Sequence, residues 1–305
     1  MIDLRRLHVL RVVDQLGTIT AAAGSLHLTP SAVSQQLRSL AHELSVPLLE
    51  PDGRRVRLTP AAHLLLKHAD SLATQWEQAR AELRAYGEQS GGSLQLGGFP
   101  SVLPAVIAPA ASLLREREPD LDLHIMEVES QNAFELLLVG EVDIAITLPN
   151  LDRPVADDPK FDQQRLLDEP QDMLVPADHP LAGKPAVSLE DFKFDEWVLP
   201  VAHSCDQFEL ASVACAAAGF TPKVRHQAKE WAATIAMVAH GLGVCLLPRL
   251  VPIPSGMAVV RLALRDPVPR RRLLTCTRRG SREQRAIALG LDALAEIALR
   301  SRVRG

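Results

Sequence analysis

Residues 29–44, TPSAVSQQLRSLAHEL, concentrate hydrogen-bonding groups on one side of a helix. At helical spacing Val33, Leu37, Leu40 and Leu44 share one face, and Ser31, Ser34, Gln35 and Arg38 share another. A solvated face is normally rich in Lys and Glu. This one offers two hydroxyls, a carboxamide and a guanidinium. Short Ser and Gln side chains let a helix backbone sit deep in a major groove and exchange hydrogen bonds with base edges or phosphates, while Arg38 can reach guanine or a phosphate. The same spacing also fits a solvated helix in some other small bundle.

The neighbouring elements would position that face. Leu4, Leu7, Val9, Leu10 and Val13 predict a first amphipathic helix, stopped at Gly17 by a left-handed turn. Thr18 can cap a second helix, whose Ala21, Ala22 and Ala23 allow another helix to cross closely. Thr29 then caps a third, with Pro30 at its first position, where a missing N–H costs nothing. Helix, tight turn and polar-faced helix form a helix-turn-helix, whose second helix lies in the major groove. Next comes LLEPDGRRVRLTP, two short strands around Asp52-Gly53, with Arg54, Arg55 and Arg57 on the return. Beside a recognition helix such a hairpin is a wing, able to reach flanking phosphates or the minor groove. A solvated edge strand protected from aggregation is the other reading of these arginines.

The stretch TITAAAGSLHLTPSAVSQQLRSLAHELSVPLLEPDGRRVRLTPAA resembles the winged helix-turn-helix of LysR-type transcriptional regulators. It has the family's Ala-Ala pair, its Val-Ser-x-x-Leu recognition helix after a Ser/Thr and a Pro (Thr29-Pro30-Ser31-Ala32-Val33-Ser34-Gln35-Gln36-Leu37), its Leu-Gly-Val-like turn at Leu44-Ser45-Val46 and its Leu-Thr-Pro exit. The resemblance implies DNA contacts by Thr29, Pro30, Ser31, Ser34, Gln35 and Arg38, and by Arg54, Arg55 and Arg57 of the wing. Two departures stand out. The family's Phe-Glu-Arg after the third helix is Leu49-Glu50-Pro51 here, and its frequent second Arg after Arg38 is Ser39. Both remove or displace DNA contacts, so binding by one domain should be weak and reliant on multiplicity.

Thr59 and Pro60 predict the start of a long helix reaching about Tyr86. Leu65, Ala69, Leu72, Trp76, Ala79 and Leu83 step alternately by four and three, a heptad seam that calls for a second helix. The rod would be roughly 40 Å long, enough to join DNA-binding units at major grooves about 34 Å apart. A helix lying on its own effector domain is the competing reading. The resemblance implies pairing of these helices, in a homodimer and often in a homotetramer built as a dimer of dimers.

Gln89-Ser90-Gly91-Gly92-Ser93 reads as a linker. Beyond it short apolar strands alternate with helices, predicting a βαβαβ unit with a parallel sheet. A second set starts near Gln164, and the segment after residue 265 returns to complete the first. Two α/β halves make a cleft, and ligands in such sheets bind beyond the carboxyl ends of the strands. That selects Ser101, Ser130, Thr147, His203, Ser204 and Trp231. Ser101 and Ser130 open helices, where free N–H groups favour a carboxylate or other anion; simple N-capping explains either serine alone. The resemblance implies a two-lobed effector domain similar to type II periplasmic solute-binding proteins. The expected fold is thus multi-domain: an all-α winged helix-turn-helix (residues 1–59), a coiled-coil linker helix (60–88) and a C-terminal α/β effector domain (89–305). Its lobe I would span 91–163 plus about 266–305, and its lobe II about 164–265.

Bulk properties are compatible with this division. The 305 residues carry a net charge of -4, yet residues 1–60 hold seven Arg against five acids. The first sixteen residues lack the apolar core of a secretory signal, and no apolar run approaches the roughly 18 residues of a membrane span. A cytoplasmic protein is expected. Four scattered cysteines suit a reducing compartment. Cys205 and Cys215 lie in the region where peroxide-sensing members of the resembled family carry reactive cysteines, which leaves a thiol-based redox switch as an alternative. Arg270-Arg271-Arg272 reads as the solvated start of a strand. Phosphate-binding, metalloprotease and nucleophile-elbow motifs are missing from the sequence. The expectation is therefore no enzyme, no cofactor and no metal. The partners expected are double-stranded promoter DNA, a small anionic effector, further copies of the chain and RNA polymerase. A pure solute-binding module would leave the first sixty residues unexplained.

Overall fold

The computed structural model describes residues 4–26, 28–52, 55–87, 92–149, 154, 158–202 and 204–303. The chain divides into two compact units, Met1–Ala79 and Arg80–Gly305.

In the first unit, α1 (Leu4–Leu16) stops at Gly17, whose φ of +68° suits a residue without a side chain. The Gly17 carbonyl accepts from Val56 N–H, tying the hairpin to this turn. α2 (Ile19–Ser25) is capped by Thr18, whose hydroxyl accepts from Ala21 N–H at 3.1 Å. Ala22 and Ala23 are fully buried, which permits the close crossing. α3 (Pro30–Leu44) is capped by Thr29 through Ala32 N–H at 3.2 Å. It ends in a left-handed residue, Ser45 at φ 54°. The hairpin pairs β1 (Leu49–Asp52) with β2 (Arg55–Leu58), placing Glu50 opposite Arg57. α4 (Pro60–Gly87) follows, capped by Thr59, whose hydroxyl accepts from Ala62 N–H and donates to the Pro47 carbonyl at 2.7 Å.

One core holds these elements together: Leu7, Leu10 and Val13 of α1, Val33, Leu37 and Leu40 of α3, Leu48, Leu58 and the start of α4. Ala69 belongs to this core and Leu65 packs against it. The first two positions of the heptad seam are therefore occupied by the chain's own domain. On the same stretch Leu64 and Leu72 are the large apolar side chains left exposed. Ala79 is half-buried, and the side chains of Trp76 and Leu83 lie outside the described residues.

The second unit begins with β3 (Ser93–Gly98), a wide helical turn over Leu103–Ile107 and α5 (Ala108–Arg117). A Cβ on Gly98 would lie 2.5 Å from Ile107 and 2.8 Å from Val102, so glycine lets this turn close over the strand end. β4 (Asp122–Glu127), α6 (Ser130–Val139) and β5 (Ile144–Thr147) complete a parallel βαβαβ unit, with both β4 and β5 paired to β3. β6 (Phe161–Pro176) is a 16-residue strand serving both halves of the unit. There follow β7 (Ala186–Val187), β8 (Glu196–Leu199), α7 (Asp206–Ala217), β9 (Lys223–Gln227) and α8 (Trp231–Ala239). β10 (Cys245–Pro248), β11 (Val259–Leu264), β12 (Arg270–Arg278) and α9 (Arg285–Val303) close the chain.

The large sheet runs β4-β3-β5-β12-β6-β11-β7, with β10 also on β6. Positions 161–170 of β6 pair with β12, and positions 171–176 pair with β10 and β11. The sheet therefore changes its company in the middle of β6. Four cores confirm two lobes. Two flank the first part of the sheet: one beneath α5 and α9, the other beneath α6. Two more flank the second part, one under α7 and one under α8.

Candidate functional site

α3 separates its side chains as its periodicity predicts. Val33, Leu37 and Leu40 are buried, while Thr29, Pro30, Ser31, Gln35 and Arg38 are exposed and Ser34 is half-exposed. Thr29 and Ser31 hydroxyls lie 2.9 Å apart. Among the described residues of the first unit, nothing covers this face. In the wing Arg57 is exposed, and its guanidinium meets the Glu50 carboxylate across the hairpin at 2.9 Å. Glu50 thus partly neutralises the wing. Arg54 and the side chain of Arg55 lie outside the described residues.

The second cluster forms at the carboxyl ends of β3, β4 and β5. Ser101 follows β3, Ser130 opens α6 after β4, and Thr147 ends β5; they are 2%, 1% and 0% exposed. Their hydroxyls differ in use. Ser101 accepts from the Arg271 guanidinium at 2.9 Å, whereas the Ser130 and Thr147 hydroxyls have no hydrogen-bond partner among the described residues. A buried hydroxyl without a partner costs on the order of 1–3 kcal/mol, which a bound ligand would recover. Thr147 lies on the α6 side of the sheet: Ile144, Ile146 and Leu148 enter the core under α5 and α9, while Ala145 enters the core under α6.

Arg271 corrects the reading of Arg270-Arg271-Arg272 as a solvated run. Arg270 and Arg272 are exposed, but Arg271 is 3% exposed. Its Nε donates to the buried Glu169 carboxylate at 2.8 Å, and its guanidinium stands 5.3 Å from the Phe99 ring centre. Glu169 also accepts from Leu250 N–H at 2.6 Å. Alternation along β12 turns one arginine of three inward, where a carboxylate from β6 receives it. Nearby on β6, Asp172 takes two hydrogen bonds from Arg249, at 3.0 and 2.8 Å. Gln207 on α7 donates to Gln171 and to the Leu246 carbonyl, leaving its own side-chain oxygen unpartnered.

Facing α6 from the second lobe are the start of α7 and the lead-in to α8. The Ser204 hydroxyl donates to the Val201 carbonyl at 2.7 Å, and Trp231 packs its half-buried ring on the core under α8. His203 lies outside the described residues. Lys229, two residues after the end of β9, meets Glu129 at 2.6 Å. Hydrogen bonding to Glu129 raises the Lys229 pKa. Sequence reasoning missed Glu129, Lys229, Glu169, Arg271 and Gln207, because each acquires its meaning from a residue far away in the chain.

All four cysteines are free. Burial raises the pKa of Cys205, with Glu129 adding to the shift and Lys229 opposing it; burial alone pushes Cys215 up to about 12. Cys205 precedes α7 and Cys215 lies within it. Ten residues of helix separate them by about 15 Å, beyond the Cα spacing of a disulfide. Among the described residues no helix is long and apolar enough to cross a membrane.

A winged helix with a bare hydrogen-bonding face, joined by a long helix to a two-lobed α/β unit, defines a DNA-binding module fused to a solute-binding type of domain. Residues 4–63 match the bacterial regulatory helix-turn-helix protein, lysR family, and residues 87–298 match the LysR substrate binding domain. The chain belongs to the LysR family of transcriptional regulators. It is 30% identical to the probable HTH-type transcriptional regulator LrrA of Synechococcus elongatus, over 89% of each chain. It is 28% identical to the hydrogen peroxide-inducible genes activator of Escherichia coli O6:H1, over 99% of this chain and 96% of that one. A full-length variant of OxyR from Pseudomonas aeruginosa shares the fold, with a TM-score of 0.62 at 24% identity over 97% of this chain and 98% of that one.

Proposed function

We propose that this chain is a ligand-responsive transcription factor that reads promoter DNA with α3 and steadies itself on flanking phosphates with the wing. The observation that carries this reading is the exposure of Ser31, Gln35 and Arg38 on a helix whose opposite face is locked into the domain core. Thr29, Pro30 and Ser34 complete the reading surface; Arg54, Arg55 and Arg57 supply the wing contacts. Residues 1–59 act as the DNA-binding domain, 60–88 as the connector and 89–305 as the effector domain. The connector joins two copies through the part of α4 beyond Ala69, and dimers of dimers place four winged domains along the promoter, within reach of RNA polymerase. The protein works in the cytoplasm and catalyses no reaction of its own.

The effector is a small anion held where the strands of lobe I end. Its support is the pair of hydroxyls without a partner among the described residues, Ser130 at the N-terminus of α6 and Thr147 at the carboxyl end of β5. Ser204 and Trp231 approach from the opposing lobe, His203 is assigned to the same group from the sequence, and Ser101 serves indirectly by holding Arg271. A thermal-shift screen of small carboxylates tests this part: a binder at a hundred times its dissociation constant adds about 2.7 kcal/mol, and Ser130→Ala should remove the shift.

Selection of duplexes from a random pool tests the DNA reading. The wild-type chain should enrich a motif with two related half-sites, and a variant with Ser31, Ser34, Gln35 and Arg38 all changed to Ala should enrich none while keeping its helical content. Enrichment of the same motif by both proteins would overturn the assignment.

A second reading, thiol-based redox switching by Cys205 and Cys215, is favoured by one observation. The Escherichia coli relative that matches along nearly the whole chain is named as peroxide-inducible. Against it stand the raised pKa values of both thiols and their separation along α7. Peptide mapping after peroxide treatment separates the two readings: a Cys205–Cys215 disulfide supports switching, and unchanged thiols support the ligand reading.

A further inference from the structure

The Lys229–Glu129 ion pair has no role in either core. Glu129 is the residue before the first turn of α6, where its negative charge suits the helix dipole, and its side chain makes no capping bond. It reaches instead to Lys229, on the segment between β9 and α8 in the other lobe. Lys229 is 41% exposed and Glu129 is 18% exposed. Beside them lie the unpartnered hydroxyl of Ser130 and the thiol of Cys205, which feels both charges. The pair therefore stands at the mouth of the cleft described above, one residue from its lobe I wall and two residues from Trp231.

We propose that Lys229 and Glu129 form an electrostatic latch that holds the two sides of the cleft together over Ser130 and Cys205. A partly exposed ion pair of this kind is weak and salt-sensitive, which is what a device that must open needs. On the effector reading, on which this consequence rests, an incoming anion takes Lys229 for itself. Glu129 then occupies, in the resting protein, the place of the ligand's negative charge. Opening and ligand capture become the same exchange of partners around one ammonium group.

Cys205 reports on the latch without any effector, so failure of the latch and failure of the effector reading can be told apart. The other three thiols are at most 1% exposed. The test is the rate at which a neutral maleimide labels Cys205 in the full-length protein, read by mass spectrometry of the peptide. Lys229→Gln and Glu129→Gln should each accelerate labelling, by about two- to fivefold for a pair of this exposure. The exchange variant, Glu129→Lys with Lys229→Glu, should return the rate to that of the wild type. Raising the salt concentration should accelerate labelling of the wild type and leave Lys229→Gln flat. Simple local electrostatics predicts something else: losing Lys229 would slow the thiol and losing Glu129 would speed it. Opposite effects of the two variants, or rates that neither variant nor salt changes, would overturn the proposal. The salt series on the wild type decides the matter even if a variant misfolds.

Discussion

Two arginine clusters, one in the wing and one on β12, show how identical residue types acquire opposite work. Arg57 is exposed and meets Glu50 across a two-stranded hairpin in water. Arg271 is buried, meets Glu169 across a central strand pair, and holds Ser101 as well. Removing water makes the difference. An exposed pair gains little Coulomb energy after screening, so Arg57 keeps its charge available for a phosphate. A buried pair cannot lose one member without stranding the other in a medium that cannot solvate it. The wing arginine, paired to a partly exposed carboxylate, can exchange that partner for another anion; the β12 arginine is committed inward, where it holds Glu169 and Ser101.

The largest expected effect breaks this contrast at the buried end. Arg271→Ala should cost roughly 3–5 kcal/mol by leaving Glu169 uncompensated, measured as the denaturant midpoint of the effector-domain transition. The double change Arg271→Met with Glu169→Leu should recover much of that loss. Next comes Thr29→Ala, which removes the hydroxyl that accepts from Ala32 N–H; about 1 kcal/mol of stability should go, seen in the thermal midpoint of the winged domain. Ser45→Gly should move the same midpoint upward by about 0.5–1 kcal/mol, since Ser45 holds a φ of 54° that glycine adopts freely. The smallest effect belongs to Arg57→Ala, which should change stability by no more than about 1 kcal/mol. Its signature is in binding: affinity for all duplexes should fall, and the salt slope should flatten by about one unit. A large loss of stability from Arg57→Ala would erase the distinction drawn between the two clusters.

What the sequence disclosed follows the range of the interactions involved. Thr18, Thr29 and Thr59 announce helix starts because the capping bond closes within three residues. The apolar stripe of α3 is likewise local, and so was the polar face opposite it. The βαβαβ order was visible from alternating apolar runs. The full length of β6 was not, because the strand crosses from one lobe to the other and its neighbours change midway. β7 was also missed, since a two-residue strand has no period to detect. Ser130 and Thr147 could be singled out from their places at helix and strand ends, but that their buried hydroxyls lack a partner among the described residues could not. Arg271 was misread since Glu169, which explains its burial, lies 102 residues earlier. Lys229 and Glu129 escaped for the same reason. The seam of α4 was half legible: the spacing is real, but Ala69 is used by the DNA-binding domain's own core.

The claim on which the account turns is that α3 distinguishes one DNA sequence from another. Fluorescence anisotropy at fixed salt, with the enriched duplex and a scrambled duplex of the same length, measures it most directly in full-length Gln35→Ala. The account predicts that affinity for the enriched duplex falls by about 1–3 kcal/mol while affinity for the scrambled duplex stays where it was. Equal losses on both duplexes, or no loss on either, would contradict it.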